Sequence, residues 1–366
     1  MNSRLTTRPL ILQALHDPGL LAQLTPGQWN DLLPQGRQSH LLARLAYLAR
    51  SQGLLDELPP SPRGHLRAAL VVAARQRRAV HWELTRIQKA LATNETPVLL
   101  LKGAAYLVAD LPAGQGRLFS DIDILVPRAQ LDNTESVLKA YGWTGDPHLD
   151  AYDQRYYRQW MHELPPLRHP VRGSVIDVHH NILPDTARAH PDAARLLADA
   201  VPVAQYPGVY VLSPEDMVLH SATHLFWDGE FDHGLRDLVD LDALLRHFAG
   251  KTGFWDSLRE HALHHGLTRP LYYALTYTRR LFDTPIPDEL YAALNDKPPA
   301  PVASMMHWAL GRALRPMHPS TKLLGDGFAR WLLYVRGHFL RMPAHLLIPH
   351  LVRKGWKKRL ARDEQT

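Results

Sequence analysis

The chain has 366 residues, 45% hydrophobic and 21% charged, the balance of a folded globular protein long enough for two or three domains. It contains no cysteine, which excludes disulfides and cysteine-based zinc sites and leaves the redox compartment open. A formal charge of +6 suits an anionic ligand such as a nucleotide or polyanion, without itself indicating nucleic-acid binding.

Met1 to Gln23 scatters charged and polar groups among short apolar pieces. No apolar stretch of secretory or membrane-spanning length follows, so the expected location is cytoplasmic. From about Leu10 to Thr93 the pattern is helical, with Leu41, Leu42, Leu45 and Leu48, then Leu66, Leu70, Val71 and Ala74, recurring at helical spacing. A long helix is expected over about Pro62 to Ala92. The pattern then changes. Pro97 to Leu101 reads as a short buried strand, followed by the turn Lys102-Gly103 and a helical stretch to Asp110. The loop from Pro112 to Gly116 leads into a strand that opens at Ser120-Asp121-Ile122-Asp123 and ends at Pro127. Arg128 to Tyr141 is expected to be helical, with Gly142 as its stop. Tyr156 to His169 reads as a strand weakened by Pro165-Pro166, and Ser174 to Ile182 as a strand. Val209 to Leu212 adds another. Ser213-Pro214-Glu215-Asp216 is a helix start, and helices are expected over Met217–Trp227, His233–Phe248, Phe254–His265, Arg269–Phe282, Ser304–Leu314 and Gly327–Leu340.

The chemistry concentrates in three aspartates. In a strand, residues two apart share a face, so Asp121 and Asp123 project together while Ile122 and Ile124 face the other way. Two adjacent carboxylates repel, and a divalent cation with oxygen ligands, such as Mg²⁺, is the usual reason to tolerate them. Asp177 sits among β-branched residues in Val175-Ile176-Asp177-Val178-His179. If its strand lies beside the first, three carboxylates converge, enough for two Mg²⁺ ions roughly 3.5–4 Å apart, with Mn²⁺ as the alternative. Gly103, after a strand and opening a helix, would let backbone amides approach a phosphate. Lys102 and Arg117 are candidate phosphate contacts.

Bland readings stand beside these. Lys102 also reads as a solvated turn residue, Arg117 as a structural partner of Asp121, and Ser120 as a strand-edge cap or a phosphate contact. His179 shares the face of Asp177 and reads either as a ligand-facing group or as a half-buried histidine; His180 points away. His220 and His224 are four apart on one helix face, which suits zinc, but Ser221 stands where a metalloprotease HExxH motif has Glu. Packing of this helix on the active face of the sheet is the preferred reading. Arg236, Asp237 and Asp240 read as an inter-helix ion-pair network in preference to an acceptor-pocket lining. Phe328 to Leu360 is basic and amphipathic but broken by Pro343 and Pro349, so packing on the core is preferred to peripheral membrane contact. No nucleic-acid-binding motif is present.

Leu101-Lys102-Gly103, Arg117-Leu118-Phe119-Ser120-Asp121-Ile122-Asp123-Ile124-Leu125-Val126 and Val175-Ile176-Asp177-Val178-His179 together resemble the nucleotidyltransferase superfamily with the polymerase-β-like fold. More narrowly, with His220-Ser221-Ala222-Thr223-His224 and Leu235 to Asp240, they resemble a bacterial, largely uncharacterised nucleotidyltransferase group. The resemblance implies an α+β fold: a small mixed β-sheet core at 96–212, flanked by an N-terminal helical region at 1–95 and a C-terminal helical domain with a basic tail at 213–366. It implies transfer of NMP from an NTP, most simply ATP, to an acceptor hydroxyl on a sugar, small metabolite or protein side chain. Asp121, Asp123 and Asp177 would be metal ligands and catalytic groups, with Lys102, Gly103, Arg117, Ser120 and His179 at the nucleotide. Ala104 follows Gly103 where the superfamily usually has Ser or Gly, so Lys102, Ser120 or Arg117 must supply the missing phosphate contact. That departure motivates a second reading, a catalytically inactive nucleotide-binding or interaction module on the same fold.

Overall fold

The computed structural model describes residues 8–347 apart from 95, 295 and 344. The basic cluster of Arg353, Lys354, Lys357, Lys358, Arg359 and Arg362 lies outside the described residues.

Four helices come first: α1 (Leu10–His16), α2 (Pro26–Gln38), α3 (Leu42–Ser51) and α4 (Pro60–Leu91). A reciprocal cap starts α2, the Thr25 hydroxyl accepting from the Gln28 amide and the Gln28 side chain accepting from the Thr25 amide. Pro60 and Pro62 fall in the first turn of α4, where an amide hydrogen has no intrahelical partner. The expected long helix is therefore present and begins two residues earlier.

The middle of the chain forms β1 (Val98–Leu100), α5 (Lys102–Val108), β2 (Ile122–Leu125), α6 (Leu131–Ala140), β3 (Thr144–Gly145), α7 (Ala151–Arg155), β4 (Leu167–Arg168), β5 (Val175–His179), α8 (Ala193–Ala198), β6 (Val201–Pro202) and β7 (Val209–Val211). The strands make one mixed sheet in the order β3-β4-β5-β2-β1-β7-β6. β1 is buried on both faces, as its unbroken apolar run demands at the sheet centre. It pairs antiparallel with β2 and parallel with β7. β2 and β5 are parallel neighbours with Asp123 opposite Asp177.

The expected strand over Tyr156 to His169 is corrected. Tyr156–Trp160 is a wide helical turn continuing α7, and only Leu167–Arg168 joins the sheet as β4, beside an isolated bridge between Glu163 and His179. The Asp150 carboxylate accepts from the amides of Tyr152 and Asp153 at 2.9 Å and starts a helix there. Pro165 and Pro166 lack the amide hydrogens a longer ladder requires.

Helices follow to the end: α9 (Pro214–Trp227), α10 (Gly234–Phe248), α11 (Phe254–His264), α12 (Thr268–Phe282), α13 (Asp288–Ala293), α14 (Ala300–Ala313) and α15 (Asp326–Arg341). All six expected C-terminal helices are present within a few residues. Ser213 caps α9 by accepting the Asp216 amide, and its hydroxyl donates to the Asp216 carboxylate at 2.8 Å. The other oxygen of Asp216 lies 2.8 Å from Nδ1 of His261, tying α9 to α11. One apolar core runs from Ile11 through the sheet to Leu333. Among the described residues, no helix is long and apolar enough to cross a membrane.

α15 reaches the turn after α9 through two facing glycines. A Cβ on Gly337 would stand 2.3 Å from the Asp228 carbonyl oxygen, and one on Gly229 2.5 Å from that of Leu333. Gly229 also has φ of 78°, open to glycine and strained for other residues. This approach brings Arg341 to within 3.7 Å of Asp228. Gly337→Ala is expected to cost about 1–3 kcal/mol by overpacking. Gly327→Ala, in the same helix with nothing within 4 Å, should be neutral or slightly stabilising. Thermal unfolding of both variants checks the contrast, and equal midpoints would remove the close-packing argument.

Candidate active site

The turn between β1 and α5 builds the floor of the site. Leu101 donates its amide to the Asp123 carbonyl at 3.0 Å, which fixes the end of β1 against β2. Lys102 then takes φ of 46°, a left-handed conformation that disfavours side chains with a Cβ by about 1–2 kcal/mol. Its ammonium lies 2.8 Å from Oδ1 of Asp123, which rewards the strained turn. The strain thus belongs to Lys102. Gly103 serves a different need, because a Cβ there would stand 2.0 Å from Nη1 of Arg117. The space left by the glycine is filled by a guanidinium of the same chain.

Arg117 does not pair with Asp121. Its Nε donates to Oδ2 of Asp240 at 2.7 Å, and its guanidinium lies between the rings of Tyr106 and Phe119. Arg44 of α3 donates to Oδ1 of Asp240 at 3.2 Å and to the carbonyls of Pro112 and Ala113. Asp240 is therefore the shared anion of two buried guanidiniums, and the structural reading of this residue holds. Arg236 pairs with Asp237 at 2.7 Å, and both face the cleft.

The three sequence-predicted aspartates gather as expected from strand alternation. Asp121 precedes β2 and lines the cleft, with the Ser120 hydroxyl donating to its Oδ1 at 3.0 Å. Asp123 is 3% exposed. Burial opposes its charge, but Lys102 and His179 hold its carboxyl well below the usual range. Burial likewise opposes the charge of Lys102, and Asp123 raises its pKa in spite of that. Asp177, opposite Asp123, makes no ion pair among the described residues. Burial, then Asp123, Glu163 and Asp121, push it up to about 7, although the charge of His179 opposes its rise. Its Oδ1 is buried with no hydrogen-bond partner among the described residues.

His179 faces the same site, its Nε2 3.1 Å from Oδ1 of Asp123 and its Nδ1 3.4 Å from Oε2 of Glu163. Burial opposes its protonation, but the Asp123 hydrogen bond and Glu163 raise its pKa. His180 points away to the Met161 carbonyl, as expected. Sequence reading missed His162 and Glu163, whose donor atoms lie with those of His179 within 4.8 Å of one another. The adjacent His-Glu pair was the available signal. Its position depends on the bridge to His179, which local periodicity does not encode.

α9 covers this face of the sheet. His220 and His224 line the same small cavity of about 240 Å³ as Lys102, Asp121, Asp177 and His179. Neither belongs to a group of three donors near enough to share an ion among the described residues, so the zinc spacing has no third ligand. Burial, then the positive charge of Lys102, lowers the pKa of both. A second cavity of about 210 Å³ lies on the side of Lys102, Arg117, Ser120 and Arg236.

A buried pair of acids on neighbouring strands, a lysine-glycine turn and a covering helix thus make up the cleft. A family model described as uncharacterised nucleotidyltransferase matches residues 25–283. The chain belongs to this nucleotidyltransferase family. Among curated proteins and solved structures, none matches it. The match begins at Thr25, the cap of α2, and ends just past α12, so the helices that carry Arg44, His224 and Asp240 lie within the matched region.

The site makes the fold sensitive to pH. The folded pKa of Asp177 lies above its unfolded value of 3.8, so the folded state binds the proton more tightly. Its contribution to stability is therefore lost as pH rises from about 4 through about 7. In EDTA at pH 8, Asp177→Asn should stabilise the chain by about 1–2 kcal/mol after allowing for solvent screening, with the gain shrinking toward pH 4. Thermal midpoints at the two pH values test this, and a destabilised variant at pH 8 would contradict the charge crowding.

Proposed function

We propose that the chain transfers NMP from an NTP, most simply ATP, to an acceptor hydroxyl with release of pyrophosphate. Asp121, Asp123 and Asp177 would hold two Mg²⁺ ions. The observation that carries this reading is the register of Asp123 opposite Asp177, with a buried carboxylate oxygen on Asp177 left without a partner. A hard cation supplies what that oxygen lacks, so the donor set fits the ion. Mn²⁺ suits the same oxygens, with His179 as a neighbouring nitrogen donor.

When bound, the ions would neutralise the phosphates and stabilise charge on the attacking and leaving oxygens. The chain's own groups do the rest. Lys102 compensates Asp123 in the ion-free state and stands in the turn nearest a phosphate. Ser120 and Arg236 line the same side and are the groups for the β- and γ-phosphates. Arg117 acts through Asp240, holding the turn, because its guanidinium is already committed. Asp177 is the group to accept the acceptor's proton as the oxygen attacks the α-phosphorus. The bond from the α-phosphorus to the bridging oxygen breaks, and pyrophosphate leaves. With Ala104 in the turn, the missing hydroxyl contact is supplied by Ser120, whose side chain lies beside Asp121.

The test is Mg²⁺-dependent release of pyrophosphate from each NTP across an acceptor panel. Asp121→Ala and Asp123→Ala should each lower the rate by at least about 100-fold. Nucleotide binding without turnover on any acceptor would favour a non-catalytic binding module instead.

A further inference from the structure

A cavity of about 760 Å³ in the cleft is not explained by the nucleotide. It opens from the carboxylate site through Met161, Glu163, His224, Asp228 and Arg341, which line both spaces. Its walls carry six carboxylates, on Asp153, Glu163, Asp228, Glu230, Asp232 and Asp237, against two guanidiniums, Arg236 and Arg341. Arg341 is paired with Asp228 at 3.7 Å, and Arg236, 2.7 Å from Asp237, stands where the chamber meets the nucleotide side. The loop between α9 and α10 delivers three of the acids. Phe231 is buried in the core, so Glu230 and Asp232 on either side of it are exposed at the rim. Tyr152, Tyr156 and Tyr157 form the facing wall.

Burial raises the pKa of Tyr156 and Tyr157 to about 12 each, Arg341 opposing the rise at Tyr156 and Glu163 adding to it at both. At the inner end, Nδ1 of His179, a residue 1% exposed, faces Oε2 of Glu163 at 3.4 Å without a hydrogen bond among the described residues. A triphosphate is repelled by such walls; the other cavity, with Lys102, Arg117 and Arg236 against Asp121, Asp123, Asp237 and Asp240, carries the larger share of cations and suits it better. The remaining reactant is the acceptor, and Asp177 borders the space into which the chamber opens. Carboxylates and tyrosine faces together recognise ammonium groups. The volume is that of a small-molecule site.

Resting on the nucleotidyl-transfer reading, we propose that this chamber receives the acceptor, and that the acceptor is a hydroxylated small molecule carrying two or more ammonium groups. Its hydroxyl would lie toward Asp177 and its ammonium groups toward Glu230, Asp232 and the tyrosines.

Three matched probes test the charge preference: 1,3-diamino-2-propanol, glycerol and hydroxymalonate, each with a central hydroxyl. They are titrated by NMR into the full chain holding Mg²⁺ and a non-hydrolysable ATP analogue. The diamine is expected to bind at least tenfold more tightly than glycerol, with the preference falling as salt rises and hydroxymalonate binding weakest. Combined Glu230→Gln and Asp232→Asn, both at exposed positions, should remove most of that preference while the thermal midpoint stays unchanged. Glycerol or hydroxymalonate binding as well as the diamine, or a preference indifferent to the double variant, overturns the inference. Binding of the analogue is read in the same samples. Its failure, with the diamine preference intact, counts against nucleotidyl transfer and not against the cation chamber.

Discussion

Two like charges on neighbouring strands govern this molecule. β2 and β5 are parallel and in register, so Asp123 and Asp177 face the same side of the sheet across a single strand spacing of about 4.8 Å. Coulomb repulsion at that distance is severe inside a protein, where the dielectric is far below that of water. The chain compensates one acid and leaves the other. Asp123 receives Lys102 and His179, while Asp177 receives neither and takes up a proton near neutrality. A fold selected for stability alone would have an apolar residue at position 177. The retained acid marks the place where stability is given up for chemistry.

Holding that geometry requires a second, wholly structural cluster. Asp240 of α10 accepts from Arg44 of α3 and from Arg117 of the loop before β2, so one carboxylate joins the N-terminal helices, the sheet and the C-terminal helices. Buried charges of this kind contribute little net stability, because desolvation offsets most of the attraction. Their value is in geometry. Removing Asp240 would leave two guanidiniums buried without an anion, so alternative packings of α3 and α10 are disfavoured. Gly103 belongs to the same arrangement, since only a residue without a Cβ lets the Arg117 guanidinium lie against the turn. Gly116, with φ of 64°, allows the Ala43 and Arg44 backbone to approach just before it.

The parts of this arrangement that follow period-two or helical spacing were legible in the sequence. Asp121, Asp123 and Asp177 stood out because acids beside β-branched runs violate the burial rule, and strand alternation then assigned their face. The mixed sheet with helical flanks followed from the same patterns and from the resemblance they carry. What depended on distant pairing was not legible. Arg117 had Asp121 as its obvious partner four residues away, yet its anion is Asp240, 123 residues on. Glu163 reaches the site through a single bridge to His179 in a segment whose apolar residues suggested a strand. Gly103 was read as a phosphate-approach glycine because a strand-to-helix turn usually needs one for that purpose. Here the space it leaves is used by a side chain that no local rule connects to it. The acids at Asp228, Glu230 and Asp232 look like an ordinary solvated loop until the helices around them enclose a chamber.

The cleft thus has two sides of different charge balance, which share His224, His233, Arg236 and Asp237. Toward the turn Lys102, Arg117 and Arg236 stand among four carboxylates, and toward the chamber six carboxylates face Arg236 and Arg341. His224 borders the large chamber and both smaller cavities. A charged side chain at this junction would favour one side at the expense of the other. Burial, then the nearby Lys102, lowers the pKa of its imidazole, although Asp228 and Asp237 stand within 4 Å and oppose the shift. A neutral imidazole both donates and accepts a hydrogen bond, so it can serve an anion on one side and a hydroxyl or ammonium on the other. The His220-to-His224 spacing that first suggested zinc is explained by this position. One turn of α9 sets two uncharged imidazoles against the carboxylate site, where any further fixed charge would upset the balance that Lys102 and Asp123 maintain.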